Sequence, residues 1–139
     1  MKKFLIFVFV CTALVFGLGG SCKKGSTPPP SGEATLVVVI SPPAGSVQPP
    51  APQTNFPVSV LITSTMPPQG VQIDVTAKKD DGSGAGPFFT DSKTTSSPTA
   101  NFDITGTPVS VVCIAEVTVT SKTKATNKWT GSFRYSRKP

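Results

Sequence analysis

The stretch VQIDVTAKK, residues 71–79, decides the fold class of this chain. Apolar and polar residues alternate along it, the apolar ones being Val71, Ile73, Val75 and Ala77. Side chains on a β-strand point alternately to two faces, so the stretch is predicted to be a strand with one buried and one wet face. No apolar stripe with helical spacing follows Glu33, and Val and Thr dominate the patterned stretches, as is typical of strands.

The same alternation recurs on both sides of this stretch. One shared face is predicted for Phe56, Val58, Val60 and Ile62, a second for Val109, Val111, Cys113, Ala115, Val117 and Val119, and a third for Trp129, Gly131, Phe133 and Tyr135. A shorter strand is predicted around Phe102 and Ile104, and an edge strand over residues 87–90. A further strand is predicted from Thr35, where TLVVVI has apolar residues on both sides.

Seven strands therefore begin near residues 35, 56, 71, 87, 100, 109 and 127, with Pro-rich or Gly-rich turns between them. Seven short strands in roughly 100 residues predict an all-β fold, a single immunoglobulin-like β-sandwich over residues 33–139.

The N-terminal region predicts export. Two lysines precede an uncharged apolar run from Phe4 to Leu18, which has the form of a signal peptide over residues 1–21. The run has 15 residues, whereas roughly 20 are needed to span a bilayer core, so a permanent transmembrane helix is the weaker interpretation.

Leu18-Gly19-Gly20-Ser21-Cys22 resembles the lipobox of bacterial lipoproteins. The resemblance implies cleavage before Cys22 and attachment of diacylglycerol to its sulfur, with acyl chains such as palmitate holding the protein on a membrane. Leu18 lies four places before the cysteine rather than the usual three. The alternative is ordinary secretion that leaves Cys22 as a free thiol.

The cysteines agree with a lipid anchor. Cys11 lies in the predicted signal peptide and Cys22 is the predicted lipidation site, so Cys113 alone remains and no intramolecular disulfide is possible. Cys113 is predicted to pack in the core, where a thiol behaves as a small hydrophobe; a reactive thiol or an intermolecular bridge is the alternative.

Residues 22–32 are predicted to form the lipidated cysteine and a tether, because KKGSTPPPSG offers nothing to a core and is rich in Pro, Gly and Ser. At about 3.1 Å per residue, ten such residues reach roughly 30 Å. The mature chain keeps eleven basic and seven acidic residues, and six of the basic ones follow residue 121. This charge suits anionic lipid headgroups or acidic glycans, or simply solvated strand faces; nucleic acid is not an expected partner of an exported protein.

The segment VCIAEVTVTSKTKATNKWTGSFRYSRKP, residues 112–139, is similar to the end of small immunoglobulin-like or fibronectin-III-like domains of Gram-negative lipoproteins. The resemblance implies a sandwich fold and an exported setting, and it implies no activity. Antibody-type domains differ, since Cys113 has no partner cysteine in residues 56–65 and residues 71–79 contain no tryptophan.

No enzymatic activity, cofactor or metal site is expected. The chain has no histidine, which excludes His-based triads, and its acidic residues are scattered. The glycines of DDGSGAG, residues 80–86, indicate a turn, because EF-hand and phosphate-loop spacings are absent. Trp129 and Tyr135 are the candidate ligand-binding residues, since exposed aromatic rings stack on sugars; the favoured interpretation is a core-facing strand, which requires the same alternation.

The sequence thus predicts an exported, membrane-anchored lipoprotein of the cell envelope, with the outer membrane as the expected location. Its domain is expected to bind or scaffold an envelope protein. A carbohydrate-binding accessory role and a passive spacer are the alternatives.

Overall fold

The computed structural model describes residues 32–139, so the predicted signal peptide, Cys22 and nearly all of the tether lie outside the described residues. The described part contains seven strands and no helix, which confirms the predicted all-β class. The strands are β1 (Val38–Ser41), β2 (Phe56–Ile62), β3 (Val71–Lys79), β4 (Phe89–Thr95), β5 (Thr99–Ile104), β6 (Val112–Ser121) and β7 (Lys128–Ser136).

The strands form two antiparallel sheets, one in the order β1-β2-β5 and the other in the order β4-β3-β6-β7. Their inner faces share one core, so the domain is the predicted immunoglobulin-like sandwich. In constant-type immunoglobulin domains the fourth strand joins the sheet of the first, second and fifth strands. Here β4 pairs with β3 instead.

The core consists of the predicted period-two residues. Nineteen apolar side chains between Leu36 and Tyr135 are buried, among them every inward residue of β2 and the four predicted residues of β3. No disulfide links the two sheets in the described residues, so apolar burial carries the packing.

The predicted face of β6 is wrong at its beginning. The strand starts at Val112, and Val109 is 43% exposed instead of joining the buried row. Ser110 has a φ of 61°, in the left-handed region, and this turn interrupts the alternation just before the strand.

Two strands differ in length from the prediction. β4 is the predicted edge strand, but it continues through polar residues to Thr95. Its second half has no apolar alternation and is held in the sheet by backbone pairing with β3. β1 begins at Val38 rather than near residue 35. Val39 in the strand and Val37 just before it are exposed, whereas Leu36, Val38 and Ile40 are buried.

Antiparallel pairing divides the loops between two ends of the sandwich. The upper end consists of residues 32–37 and the loops 63–70, 96–98 and 122–127. The lower end consists of the loops 42–55, 80–88 and 105–111 and of residues 137–139.

Candidate functional site

Tyr135, one of the two candidate ligand-binding residues, lies in the core. Its side chain is 1% exposed, and its ring centroid lies 4.3 Å from that of Phe56 and 5.8 Å from that of Phe133. Its hydroxyl shares a hydrogen bond of 3.3 Å with the hydroxyl of buried Thr107. Burial raises the pKa of Tyr135 to about 12. A ring enclosed in this way has no face free for a sugar.

Trp129, the other candidate, is half-buried on the same face of β7 and packs against the core. Its indole lies over Gly131, the next residue on that face, and a Cβ added to Gly131 would collide with the ring. The absent side chain thus makes room for the tryptophan. The two aromatic residues form no exposed stacking platform, and both side chains serve packing in this structure.

The carboxylates of Asp74, Asp80 and Asp81 have separate partners. Asp80 pairs with the guanidinium Nε of Arg134 at 2.6 Å, and Asp74 accepts hydrogen bonds from Gln72 and Ser92. Hydrogen bonds from Ser83 lower the pKa of Asp81. Within residues 32–139, no group of three or more His, Cys, Asp and Glu side chains is placed to hold a metal ion.

Cys113 is fully buried on β6, as its alternation predicts. Desolvation raises the pKa of the thiol, and the positive charge of Lys79 opposes this only partly. Thiolate is the nucleophilic form of cysteine, so this environment suits packing and not reactivity.

The edge of β7 is covered by another segment of the chain. Residues 45–51 run parallel to β7 and supply hydrogen bonds from the amides of Gly45, Gln48 and Ala51 to its carbonyls, at 2.7, 2.8 and 3.1 Å. Pro49 and Pro50 lack donors, so the hydrogen bonds from this segment to β7 are interrupted between Gln48 and Ala51.

The edges of β4 and β5 meet at a charged side chain. Lys93 of β4 donates to the carbonyl of Asn101 on β5, and its ammonium lies 4.4 Å from the centroid of the Phe102 ring. Asp91, two residues before, shares the inward-facing side of β4. Inward-pointing charges at an edge disfavour the addition of another strand.

The outer edge of β1 has no such cover in the described part of the chain. Glu33 carries the one charge between residues 32 and 41, and Val37 and Val39 are 53% and 54% exposed. Leu61 of β2, 42% exposed, lies directly opposite Val39 and enlarges the apolar surface. We call these three side chains and the free backbone edge of Val38–Ser41 the β1 edge site.

Hydrogen bonds of the Asn127 side chain hold the segment before β1 at the upper end. Its side-chain amide donates to the carboxylate of Glu33 and to the carbonyl of Ala34, and its side-chain oxygen accepts the amide of Leu36 at 2.9 Å. These partners lie 91 to 94 residues away in the sequence. Sequence reasoning missed this role, because an asparagine in a loop signals a turn and not its distant partner.

The loop 122–127 is held by its own backbone and by the neighbouring loop. The hydroxyl of Ser121 accepts the amides of Thr123 and Lys124, both at 3.1 Å. The amide of Lys122 donates to Gly70, and the hydroxyl of Thr123 accepts the amide of Gln69. The ordered loop presents the side chains of Lys122, Lys124 and the adjoining Lys128 to solvent.

Comparison with known proteins adds no family: no family model, curated protein or solved structure matches the chain. Among residues 32–139, no helix is long and apolar enough to cross a membrane.

Proposed function

We propose that this protein is a lipid-anchored binding or scaffolding module of the cell envelope, which contacts a protein partner through the β1 edge site. The observation that carries the proposal is the contrast between this open apolar edge and the other three, since residues 45–51 pair with β7 and the charged side chain of Lys93 lies between β4 and β5.

The anchor is supported by the sequence. A charged start, an apolar run of signal-peptide length and small residues before Cys22 form the pattern that precedes lipid attachment. The described domain has no thiol free for another role on its surface, because its single cysteine, Cys113, is buried.

Strand addition suits the β1 edge site. An extended segment of a partner gains backbone hydrogen bonds from an open edge, and side-chain contacts supply specificity. The edge has only four strand residues, so the contact also depends on the apolar side chains Val37, Val39 and Leu61. Exposed apolar side chains grouped beside an unpaired edge are typical of a protein interface.

Metabolic labelling with a clickable fatty acid tests the anchor. The Cys22→Ser variant should lose the label and leave the membrane fraction, because the acyl acceptor is gone. The Cys113→Ser variant is the matched control and should keep both the fatty-acid label and its place in the membrane fraction. Undiminished label on the Cys22→Ser protein would refute the anchor.

Capture from envelope extracts with the intact tagged protein tests the edge. Val39→Lys places a charge in the β1 edge site, and Val112→Lys makes the same change at another exposed strand valine, on the four-stranded sheet. Partners should bind the wild type and the Val112→Lys protein, with recovery on Val39→Lys reduced about ten-fold or more, because an unpaired charge is costly in an apolar contact. Equal recovery of the partner by the wild type and both variants would contradict binding through the β1 edge site. Absence of any specific partner would indicate that the protein is a passive spacer.

A further inference from the structure

The tether meets the domain at the upper end of the sandwich. Asn127 holds Glu33, Ala34 and Leu36 against the loop 122–127, so residue 32 and the chain before it begin at that end. If Cys22 carries lipid, as proposed above, ten residues of roughly 30 Å at most separate the upper end from the membrane.

The upper end of the sandwich gathers positive charge with little acidic charge beside it. Counted with the adjoining Lys128, it carries three exposed lysines and one acidic residue, Glu33, whose carboxylate already accepts from Asn127. The lower end, counted in the same way with the adjoining Lys79, also carries three basic residues, Lys79, Arg137 and Lys138, but it has two acidic ones, Asp80 and Asp81. Lys23 and Lys24, next to the predicted anchor, add positive charge to the tether itself.

We propose that the upper end of the domain rests on anionic lipid headgroups through Lys122, Lys124 and Lys128. This inference rests on the proposed anchor at Cys22. The tether brings these lysines near the bilayer, and each lysine at an anionic surface gains about 1 kcal/mol of attraction, or about five-fold in affinity. The attraction acts within a Debye length, about 8 Å at physiological salt. It therefore favours contact of the upper end with the bilayer over a position farther away at the full length of the tether.

Seating on the upper end sets the orientation of the whole domain. The strands run between the two ends, so they stand away from the membrane and the lower end points outward. The β1 edge site then faces sideways along the membrane.

The orientation is testable on vesicles without the cell's own lipidation. The chain from residue 22 onward contains every residue that is buried within the described range 32–139. It is coupled through Cys22 to a maleimide lipid, and buried Cys113 does not compete. Vesicles of phosphatidylcholine alone are compared with an equal mixture of phosphatidylcholine and phosphatidylglycerol. A soluble amine-acylating reagent then labels the lysines, and mass spectrometry gives the labelling rate at each one.

Lys122, Lys124 and Lys128 should label about five-fold or more slowly on the anionic vesicles than on the neutral ones, whereas Lys78, Lys79 and Lys138 should not change. High salt should abolish the protection. Equal labelling on both vesicles, or equal protection of all six lysines, would overturn the inference. Protection by a soluble acidic polysaccharide but not by the anionic vesicles would also overturn it.

Matched double variants supply the control. Replacing Lys122 and Lys128 by glutamine should weaken the protection of the remaining Lys124 on the anionic vesicles, because two of the three attractive charges are gone. Replacing Lys78 and Lys138 by glutamine makes the same charge change and should leave the protection of Lys124 intact. Because coupling is chemical, loss of fatty-acid label in cells would refute the anchor without affecting this result.

Discussion

The Tyr135 hydroxyl links the last strand to the loop 105–111 at the lower end through its hydrogen bond with Thr107. Both side chains are buried, so neither has water as an alternative partner. Tyr135→Phe should therefore lower the free energy of unfolding by about 1 kcal/mol at neutral pH, as measured by urea denaturation. An unchanged value would show that the hydroxyl pair contributes nothing to stability.

The same residue predicts a change in stability at alkaline pH. Desolvation raises the pKa of Tyr135 from 10.0 to about 12, so between these values the unfolded chain has released a proton that the folded domain keeps. Stability is unaffected by this group below pH about 10 and falls as the pH rises toward about 12, by on the order of 1 to 3 kcal/mol. Urea denaturation across this range should show a smaller fall for Tyr135→Phe than for the wild type, and parallel curves would contradict the assignment.

Cys113 provides a test of the core. Its thiol is fully buried beside the carbonyl of Val111, 3.7 Å away, and should resist a maleimide until the domain unfolds. Cys113→Ser should cost about 1 to 3 kcal/mol because it buries a hydroxyl, whereas Cys113→Ala should cost less because the site stays apolar. Rapid maleimide labelling of Cys113 in the native domain, together with unchanged stability of Cys113→Ser, would show that the thiol does not lie in the core.

At the scale of elements, Asn127 connects the segment before β1 to the loop 122–127. Asn127→Ala removes three hydrogen bonds and should cost about 1 to 2 kcal/mol, with faster amide hydrogen exchange at Leu36. Asn101→Ala, which removes one exposed side-chain bond to Ser59, is the control and should cost under about 0.5 kcal/mol. If exchange at Leu36 is unchanged in Asn127→Ala, Asn127 does not hold this segment.

The strand β7 depends on the fit between Gly131 and the indole of Trp129. Gly131→Ala should displace the ring, shift the fluorescence of this single tryptophan to longer wavelength and cost about 1 to 3 kcal/mol through overpacking. Gly86→Ala adds the same methyl group in open space and should change neither property. An unshifted spectrum for Gly131→Ala would show that the ring does not rest on the glycine.

At the scale of the whole molecule, the predicted domain boundary at Glu33 can be tested by truncation. Chains that begin at Cys22 and at Glu33 should unfold at the same temperature, because every buried residue and every partner of Asn127 is retained. A chain that begins at Val38 loses buried Leu36 and should be less stable by about 2 to 4 kcal/mol. Equal unfolding temperatures for all three chains would show that the domain begins at β1 and not at Glu33.

The sequence predicted the core because burial follows a local rule. Along β2, β3 and most of β6, each apolar residue of the alternating row is buried, since the strand pleat sends successive side chains to opposite faces. The rule failed at Val109, where a single left-handed residue, Ser110, broke the pleat. It also ended β4 too early, because pairing with β3 and not hydrophobicity holds its polar second half.

The candidate site was less predictable from the sequence. Trp129 and Tyr135 share a face by alternation, but alternation alone does not tell a core face from an exposed one. Only the packing of Phe56 and Phe133 on Tyr135, and of Trp129 on Gly131, decided that these rings stabilise the domain.

By itself, the sequence determined the all-β class, the identity of most core residues and the absence of histidine. These depend on residue types and on spacing between near neighbours. Tertiary structure alone decided which sheet edge stays open, where the segment before β1 is held and which charges gather at one end. The physical reason is that edges and ends are formed by residues far apart in the chain, such as Asn127 and Leu36, whose meeting depends on how the strands are ordered in the two sheets.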